Sequence, residues 1–426
     1  MPDLPPGGPV HQATGPRQPL CRFCGAGLAH TFVDLGMSPL CQTQIGPDEL
    51  DKGEVFYPLH VYVCNQCWLV QLQEYVTPEQ IFSRDYPYFS SFSDSWVEHA
   101  RTYVEHMVTD FGLTAASFVV ELASNDGYLL QHVQRGGIPC LGIEPTASTA
   151  AAALARGIPT RQEFFGLALA RRVAAEAGRA DVVAGNNVLA HVPDLNDFVA
   201  GIAALLKPDG VGTFEFPHLL RLIEHNQFDT IYHEHFSYFS FLTVRAVFGR
   251  HGLQVFDVRE LPTHGGSLRV YVQPTTSGRR PVEARVQELL ATESAAGIDN
   301  LALYGRFQER VYATKRHLLA FLIEARSAGK RVAGYGAPGK GNTLLNYCGI
   351  GTDFLDFTVD RNPAKQGTWT PGTRIPILAP GAILEQKPDY VLILPWNLRA
   401  EIVEKMSPVR AWGGKFVIPI PTVEII

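Results

Sequence analysis

The sequence predicts an α/β protein: two doubly wound sheets behind a small cysteine-bearing module. From Ala115 to Phe216, apolar strand-like runs alternate with helical stretches, the same alternation returns from Lys330 to Ile420, and two Cys-x-x-Cys pairs precede both. At 426 residues the chain exceeds what one core fills, roughly 250 to 300 residues, so it should divide. Composition shifts set the expected boundaries: a Pro-, Gly- and Gln-rich leader over 1–19, the cysteine module over 20–80, a first α/β unit over 81–280 and a second over 281–426.

The formal charge of -6 disfavours a binder of nucleic acid or anionic membrane, which would cluster basic residues. No apolar run reaches the roughly 18 residues of a membrane span, and the leader lacks an apolar signal core, so a cytoplasmic protein with small-molecule partners is expected.

Cys21-Arg22-Phe23-Cys24 and Cys64-Asn65-Gln66-Cys67 place two thiols each on tight knuckles, and two such pairs complete a four-thiolate zinc site. Gly25 and Gly27 follow the first knuckle, and Val61-Tyr62-Val63 reads as a strand leading into the second. A closed shell of four thiolates leaves no position for substrate, so such a zinc is structural. The long separation between the pairs keeps redox chemistry or a disulfide as alternatives. Cys41, Cys140 and Cys348 stand singly and read as core or incidental thiols.

In the first α/β unit, the strand Phe118–Leu122 carries Glu121 and runs into the turn Ala123-Ser124-Asn125-Asp126-Gly127, then a helix from Tyr128 to Gln134. A second strand, Pro139 to Ile143, ends at Glu144 and precedes an alanine-rich helix, Ala147 to Gly157. A third, Asp181 to Gly185, runs into Asn186 and Asn187, and a fourth, Gly210 to Phe216, follows a helix closed by Lys207-Pro208-Asp209-Gly210. Ligands in such sheets bind at the carboxyl ends of the strands. The turn lacks the three glycines of a pyrophosphate loop, which disfavours a dinucleotide. An acid on strand one, an acid closing strand two and an Asn-rich third loop suit S-adenosylmethionine better: Glu144 would accept from the ribose hydroxyls, and the turn backbone would approach the amino-acid portion.

The C-terminal unit contains Lys330 to Asn342, a strand running into a glycine-rich turn and a helix. Gly334, Gly339 and Lys340 have Walker A spacing, but Gly341 stands where Ser or Thr must reach magnesium, so an ATPase is disfavoured. Asp360, closing the apolar run Phe354 to Val359, also imitates a dinucleotide site. The simpler reading is a helix N-terminus, with Lys340 and Asn342, cradling a substrate diphosphate; a remnant with no ligand is the alternative. Strands at Tyr390–Leu394 and Lys415–Ile420 complete the sheet, and a helix-rich segment over Pro281–Ile323 links the two units.

Tyr232-His233-Glu234-His235-Phe236-Ser237-Tyr238 carries two imidazoles, a carboxylate and two phenols. A zinc protease helix needs its histidines four apart, so the run points to acid/base chemistry or, more plainly, to a wet loop. With the stretches Glu121 to Leu130, Gly185 to Val192 and Gly339 to Gly349 and the two Cys pairs, this run resembles the S-adenosylmethionine-dependent deoxysugar C-methyltransferases, which act on nucleotide-linked keto-sugars in antibiotic biosynthesis. The resemblance covers the chain from about Cys21 to the C-terminus. It implies a zinc-binding N-terminal module, a class I methyltransferase (Rossmann-like) middle domain and a Rossmann-like C-terminal domain holding a dTDP-linked 4-keto-deoxysugar.

Methylating carbon requires a base to remove a proton beside a carbonyl, and the enolate to attack in line. The resemblance implies that His235 is that base. Glu234 is read as its orienter or as a sugar ligand, and Tyr232 as a donor to the enolate oxygen. The resemblance places the region of Tyr86 over the active site, with a packing aromatic as the plain alternative. His191 should reach the donor or the sugar, or else cap a helix. His233 should face away, and His225 and His264 read as satisfied loop histidines. Methylation at C3 is expected, with C5 as the neighbouring alternative; a non-catalytic sugar-binding protein and an NAD-dependent oxidoreductase are rivals from other classes.

Overall fold

The computed structural model describes residues 18–82 and 88–426 and contains three sheets. The central one has seven strands in the spatial order Leu253–Leu261, Ser267–Pro274, Leu206–Pro217, Ala180–Asn186, Val119–Leu122, Cys140–Ile143, Thr160–Arg161. Ser267–Pro274 runs antiparallel to both neighbours, and from Leu206–Pro217 to Thr160–Arg161 every pairing is parallel. The second strand in sequence lies on one side of Val119–Leu122 and the fourth, Ala180–Asn186, on the other. The order therefore reverses at Val119–Leu122, and a crevice opens at its carboxyl end.

All four residues of Val119–Leu122 are buried, as a strand covered on both faces requires. The fourth expected strand begins at Leu206, earlier than its sequence suggests. Its pairing jumps from Ala180↔Leu206 to Val182↔Val211, so Lys207-Pro208-Asp209-Gly210 forms an irregularity inside the strand rather than a helix end. Such a register break is where a central strand tolerates a proline.

The C-terminal sheet also has seven strands, ordered Thr368–Trp369, Pro376–Leu378, Thr358–Val359, Val332–Tyr335, Tyr390–Ile393, Lys415–Ile418, Glu424–Ile425. Of the run expected from Phe354, only Thr358–Val359 pairs. Phe354 and Leu355 instead turn back, their amides donating to the Gly351 carbonyl at 3.1 and 3.0 Å. The helix-rich link resolves into Ala284–Ala296, Leu301–Gly305 and Phe307–Ser327.

The N-terminal module is a sheet of His30–Ser38, Tyr57–Val63 and Val70–Leu72, completed by Ser237–Tyr238 from the histidine-rich run. Its core is continuous with its neighbours. Phe32 stacks on Phe307 with ring centres 4.5 Å apart, while Cys21, Phe23, Leu28 and Leu69 join the core of the central sheet. The loop after His30–Ser38 reaches the edge of the C-terminal sheet, where Ile45 and Trp369 exchange two backbone hydrogen bonds of 2.9 Å. No described helix is long and apolar enough to cross a membrane.

One buried carboxylate ties the long link to the central unit. Glu293 accepts from the amides of Phe241 (2.6 Å) and Leu242 (2.8 Å) at the start of the helix Phe241–Arg250, and lies 2.6 Å from His218 Nε2. Glu293→Ala would leave these buried donors without an acceptor and should destabilise the chain by about 3 kcal/mol in denaturant melts.

Candidate active site

The crevice at the switch point is lined by strained backbone and orphaned polar atoms. Ala123, Asn125 and Asn187 adopt left-handed φ of 53°, 49° and 55°. Each is a conformation that costs a non-glycine residue roughly 1 to 2 kcal/mol. Gly127, at φ 78°, has a second reason to be glycine: a Cβ there would stand 3.0 Å from Ile158 Cγ1. Glu144, closing the second parallel strand, accepts from the amides of Asn125 (2.8 Å) and Thr146 (2.9 Å), which locks it to the turn. Burial raises its carboxyl above the ordinary range, against the pull of those amides.

Glu121 is buried, and neither of its oxygens has a hydrogen bond of ordinary geometry. Burial, then the charges of Glu144 and Asp126, push its carboxyl well up. Both amide atoms of buried Asn186 likewise lack a hydrogen bond of ordinary geometry. Orphaned polar atoms of this kind, gathered at one strand end, fit a polar ligand such as S-adenosylmethionine. Asn125 and Asp126 are committed locally. Asn125 Oδ1 accepts from the Ser90 amide at 2.8 Å, and Asp126 accepts from the Ser91 hydroxyl and lies 3.2 Å from Arg156. The segment following the undescribed residues thus sits on the turn, whereas Tyr86 lies outside the described residues.

The histidine-rich run packs against the loop that follows the strand Ala180–Asn186. Thr230, Ile231 and Tyr232 lead into a turn in which the His235 amide donates to the Tyr232 carbonyl (2.9 Å). The run then pairs with Val70 and Gln71 on one side, while the Phe236 amide donates to the Ala190 carbonyl (2.7 Å) on the other. His235 Nδ1 lies 2.8 Å from the Thr230 carbonyl, which can only accept, so Nδ1 carries the proton and Nε2 keeps its lone pair. Thr230, not Glu234, therefore sets the tautomer. Around the half-buried His235 ring stand Tyr232 at 4.0 Å, His191 at 4.7 Å and Tyr238 at 6.1 Å between ring centres.

Burial, then His191, lower His235 well below 6.5, and burial takes His191 to about 4. Both are neutral imidazoles at neutral pH. Burial, then Glu234, push the Tyr232 phenol well up, so it stays a hydrogen-bond donor. Glu234 is buried with Oε1 3.7 Å from Cys41 Sγ. His233 turns towards the N-terminal module, its Nε2 3.2 Å from the Pro58 carbonyl, and His225 is exposed at the end of Leu219–Glu224.

Two residues read as bystanders in the sequence belong to the site. His264, at φ 53°, lies 3.1 Å from Asn187 Nδ2 and packs edge-on against Trp96; burial, then Lys340, lower it to about 4. Cys41 presses against the start of the helix Gly339–Cys348, where a Cβ on Gly339 would meet its sulfur at 2.9 Å and Tyr232 Cζ at 3.7 Å. Asn342 donates to the Cys41 carbonyl (2.6 Å) and keeps an unpartnered Oδ1.

Lys340 donates to Asn397 Oδ1 (2.8 Å) with its ammonium 4.6 Å from the centre of the Trp396 ring, and burial lowers its pKa. Trp396 Nε1 donates to buried Asp229 (2.7 Å), whose carboxyl burial raises to about 6 against the pull of Lys340. Gly341 explains the broken Walker pattern, since a Cβ there would lie 3.0 Å from Leu394 Cβ. Asp360 is taken up by the amides of Ala337 (2.7 Å) and Asn362 (2.8 Å), so it braces the loop rather than offering itself to a ribose.

The sulfurs of Cys21, Cys24, Cys64 and Cys67 all lie within 4.8 Å of one another, with 3.5 Å across Cys21–Cys67 and Cys24–Cys64. Tetrahedral zinc with bonds of about 2.3 Å calls for sulfurs roughly 3.8 Å apart, so the set fits zinc, and all four cysteines are free thiols. Gln71 Nε2 donates to Cys21 Sγ (3.1 Å), the kind of outer contact that steadies a thiolate ligand.

Three family models match successive parts of the chain: a zinc binding domain over residues 21–82, a methyltransferase domain over 96–258 and a C-methyltransferase C-terminal domain over 262–421. The C-methyltransferase NovU of Streptomyces niveus is 38% identical over 409 residues, spanning 95% of this chain and 96% of that protein. The chain belongs to the S-adenosylmethionine-dependent C-methyltransferases. Membership displaces the binding-protein and oxidoreductase alternatives. Among solved structures, magnesium protoporphyrin IX methyltransferase from Synechocystis PCC 6803 with bound SAM overlaps 47% of this chain and 99% of its own, at 15% identity and a TM-score of 0.35. For this C-methyltransferase, S-adenosylmethionine is the methyl donor and the four-cysteine cluster of the N-terminal module is the zinc site.

Chelating that zinc, or substituting Cys64→Ser, should release about one equivalent of metal by elemental analysis. Methyl transfer should fall with it, because the strand bearing Ser237 and Tyr238 pairs with the metal-bearing module. A second expectation concerns acid. Unfolded histidines bind protons near pH 6.5, whereas folded His191 and His264 bind them only near 4. Stability should therefore fall as pH drops from about 6.5 to 4, and His191→Gln should flatten that slope in thermal melts.

Proposed function

We propose that this C-methyltransferase transfers a methyl group to C3 of a dTDP-linked 4-keto-deoxysugar through a base-generated enolate, with His235 as the base. The observation that carries this reading is the hydrogen bond from His235 Nδ1 to the Thr230 carbonyl. It leaves the Nε2 lone pair on a half-buried ring between the donor crevice and the C-terminal glycine-rich helix. The sugar class follows from the motif resemblance, and a keto group is the feature that makes a neighbouring C–H acidic enough for an imidazole to remove.

S-adenosylmethionine, when bound, supplies a methyl group on a sulfonium that departs as a neutral thioether. Glu144 would accept from its ribose hydroxyls through the lone pairs its two amide donors leave over. Glu121 and Asn186 would meet its remaining polar groups, with the Ala123–Gly127 turn and Asn187 shaping the wall. The sugar would then lie against His191, Tyr232 and His235, its α-proton towards Nε2. By the family resemblance, Tyr86 is proposed as a further residue of the active site. Glu234 is proposed as a sugar ligand, since the orienting position on Nδ1 belongs to Thr230.

Incubation with S-adenosylmethionine and a panel of dTDP-4-keto-sugars should add one methyl by mass spectrometry, placed at C3 by NMR. His235→Asn should lower kcat by roughly 10²- to 10⁴-fold and abolish deuterium exchange at the α carbon while donor binding persists. Undiminished exchange in that variant would remove His235 as the base.

A further inference from the structure

We propose that the Lys340 ammonium stabilises the negative charge that develops on the substrate's keto oxygen as His235 removes the neighbouring proton, rather than gripping the diphosphate. This rests on the keto-substrate reading above. Lys340 is held by neutral groups only: Asn397 Oδ1 at 2.8 Å and the face of Trp396 at 4.6 Å. Among the described residues no ion pair includes it: the nearby Asp229, whose charge acts on it, turns Oδ2 to the Trp396 indole at 2.7 Å and leaves Oδ1 without a hydrogen bond of ordinary geometry. A largely desolvated cation without a contact anion is costly, and such groups cluster where a charge must be met.

The site's packing brings that cation to the base. Gly339, the preceding residue, abuts Tyr232, with a Cβ position 3.7 Å from Cζ, and the Tyr232 ring is 4.0 Å from His235. From the other side, a Cβ on Gly265 would meet the Trp396 ring at 2.7 Å, next to His264 and its bond to Asn187. Lys340 thus stands near enough for its charge to act on both His235 and His264.

A diphosphate suits this position poorly. The helix start is filled by Cys41, the carboxylate of Asp360 already caps the Ala337 amide, and Lys365 is committed to the Ala337 carbonyl (2.9 Å) and Gln42 (3.3 Å). Multiple phosphate charges would meet Asp360 and Asp229, whereas one ammonium matches one developing charge. In the step, His235 Nε2 takes the proton, the C–H pair becomes the C=C bond and the carbonyl π pair moves onto oxygen, where the ammonium donates a hydrogen bond. The carbonyl re-forms as the carbon takes the methyl, the S–C pair staying on sulfur, and His235 returns its proton to water.

Full-length Lys340→Gln should slow both α-carbon deuterium exchange and methyl transfer by about 10²- to 10³-fold, with KM for the nucleotide sugar and Kd for dTDP within about twofold. Lys340→Arg should recover part of the rate. Asn397→Asp, which keeps the lysine but sets a carboxylate against it, should reproduce the rate loss and covers the case in which Lys340→Gln folds poorly. Weakened dTDP binding with kcat retained would assign Lys340 to the diphosphate and overturn the proposal. Exchange within threefold of wild type in both neutralising variants would overturn it too. A wild-type chain inert towards every 4-keto sugar would instead overturn the substrate reading and this inference together.

Discussion

The short strand Ser237–Tyr238 is the joint on which the rest of the active site depends. Its pairing with Val70 and Gln71 attaches the histidine-rich run to the cysteine module, and the Phe236 amide attaches the same run to Ala190 in the third loop of the central sheet. Two residues before that strand stands His235, whose imidazole the Thr230 carbonyl fixes. A hydrogen-bonded ring depends on its backbone acceptor for direction, so whatever holds residues 230 to 238 in place also aims Nε2. The metal is thereby connected to the chemistry through main-chain geometry. Arg22, on the first knuckle, strengthens that link by donating to the Pro193 carbonyl at 3.1 Å and lying over the Phe236 ring at 5.3 Å.

A second principle is the deliberate placement of discomfort. The crevice at the switch point carries three non-glycine residues in left-handed backbone, with a carboxylate and an amide that lack hydrogen bonds of ordinary geometry. Across from it, a lysine is largely removed from water without a contact counterion. Each destabilises the free chain, and each is a polar group waiting at a defined position, which is how a site avoids reorganising as charge moves. Buried networks on the flanks keep these groups in place. Glu215, for example, holds His99 at 2.9 Å and Thr263 at 2.8 Å and pairs with Arg269, tying the helix Asp94–Phe111 and the His264 loop to the central sheet.

What the sequence made legible follows from what is local. The Ala123 to Gly127 turn, Glu144 and the paired cysteines are set by spacing within one strand and turn, and the structure places them together as that spacing implies. The hairpin Leu253–Leu261 and Ser267–Pro274 has good alternation but lies beyond the run of strand–helix units and was not anticipated. His264 and Cys41 looked ordinary because their importance comes from partners 77 and 193 residues away, Asn187 and Glu234. Glycines offered the missed signal: Gly265, Gly339 and Gly341 mark places where two segments approach too closely for a Cβ. The role of Thr230 was invisible because a carbonyl has no letter in the sequence.

The contact of Gly339 with Cys41 and Tyr232 also bears on how the chain comes to life. Cys41 lies in the first tenth of the polypeptide, Tyr232 near its middle and Gly339 about four-fifths along. A ribosome delivers them in that order, and the helix bearing Gly339 emerges long after the others. Until it docks, Cys41 and Tyr232 face an open seam. The three-way contact can therefore form only after the last of these segments has been made. For the same reason, a chain cut before Gly339 would leave Cys41 and Tyr232 without the helix that packs on them.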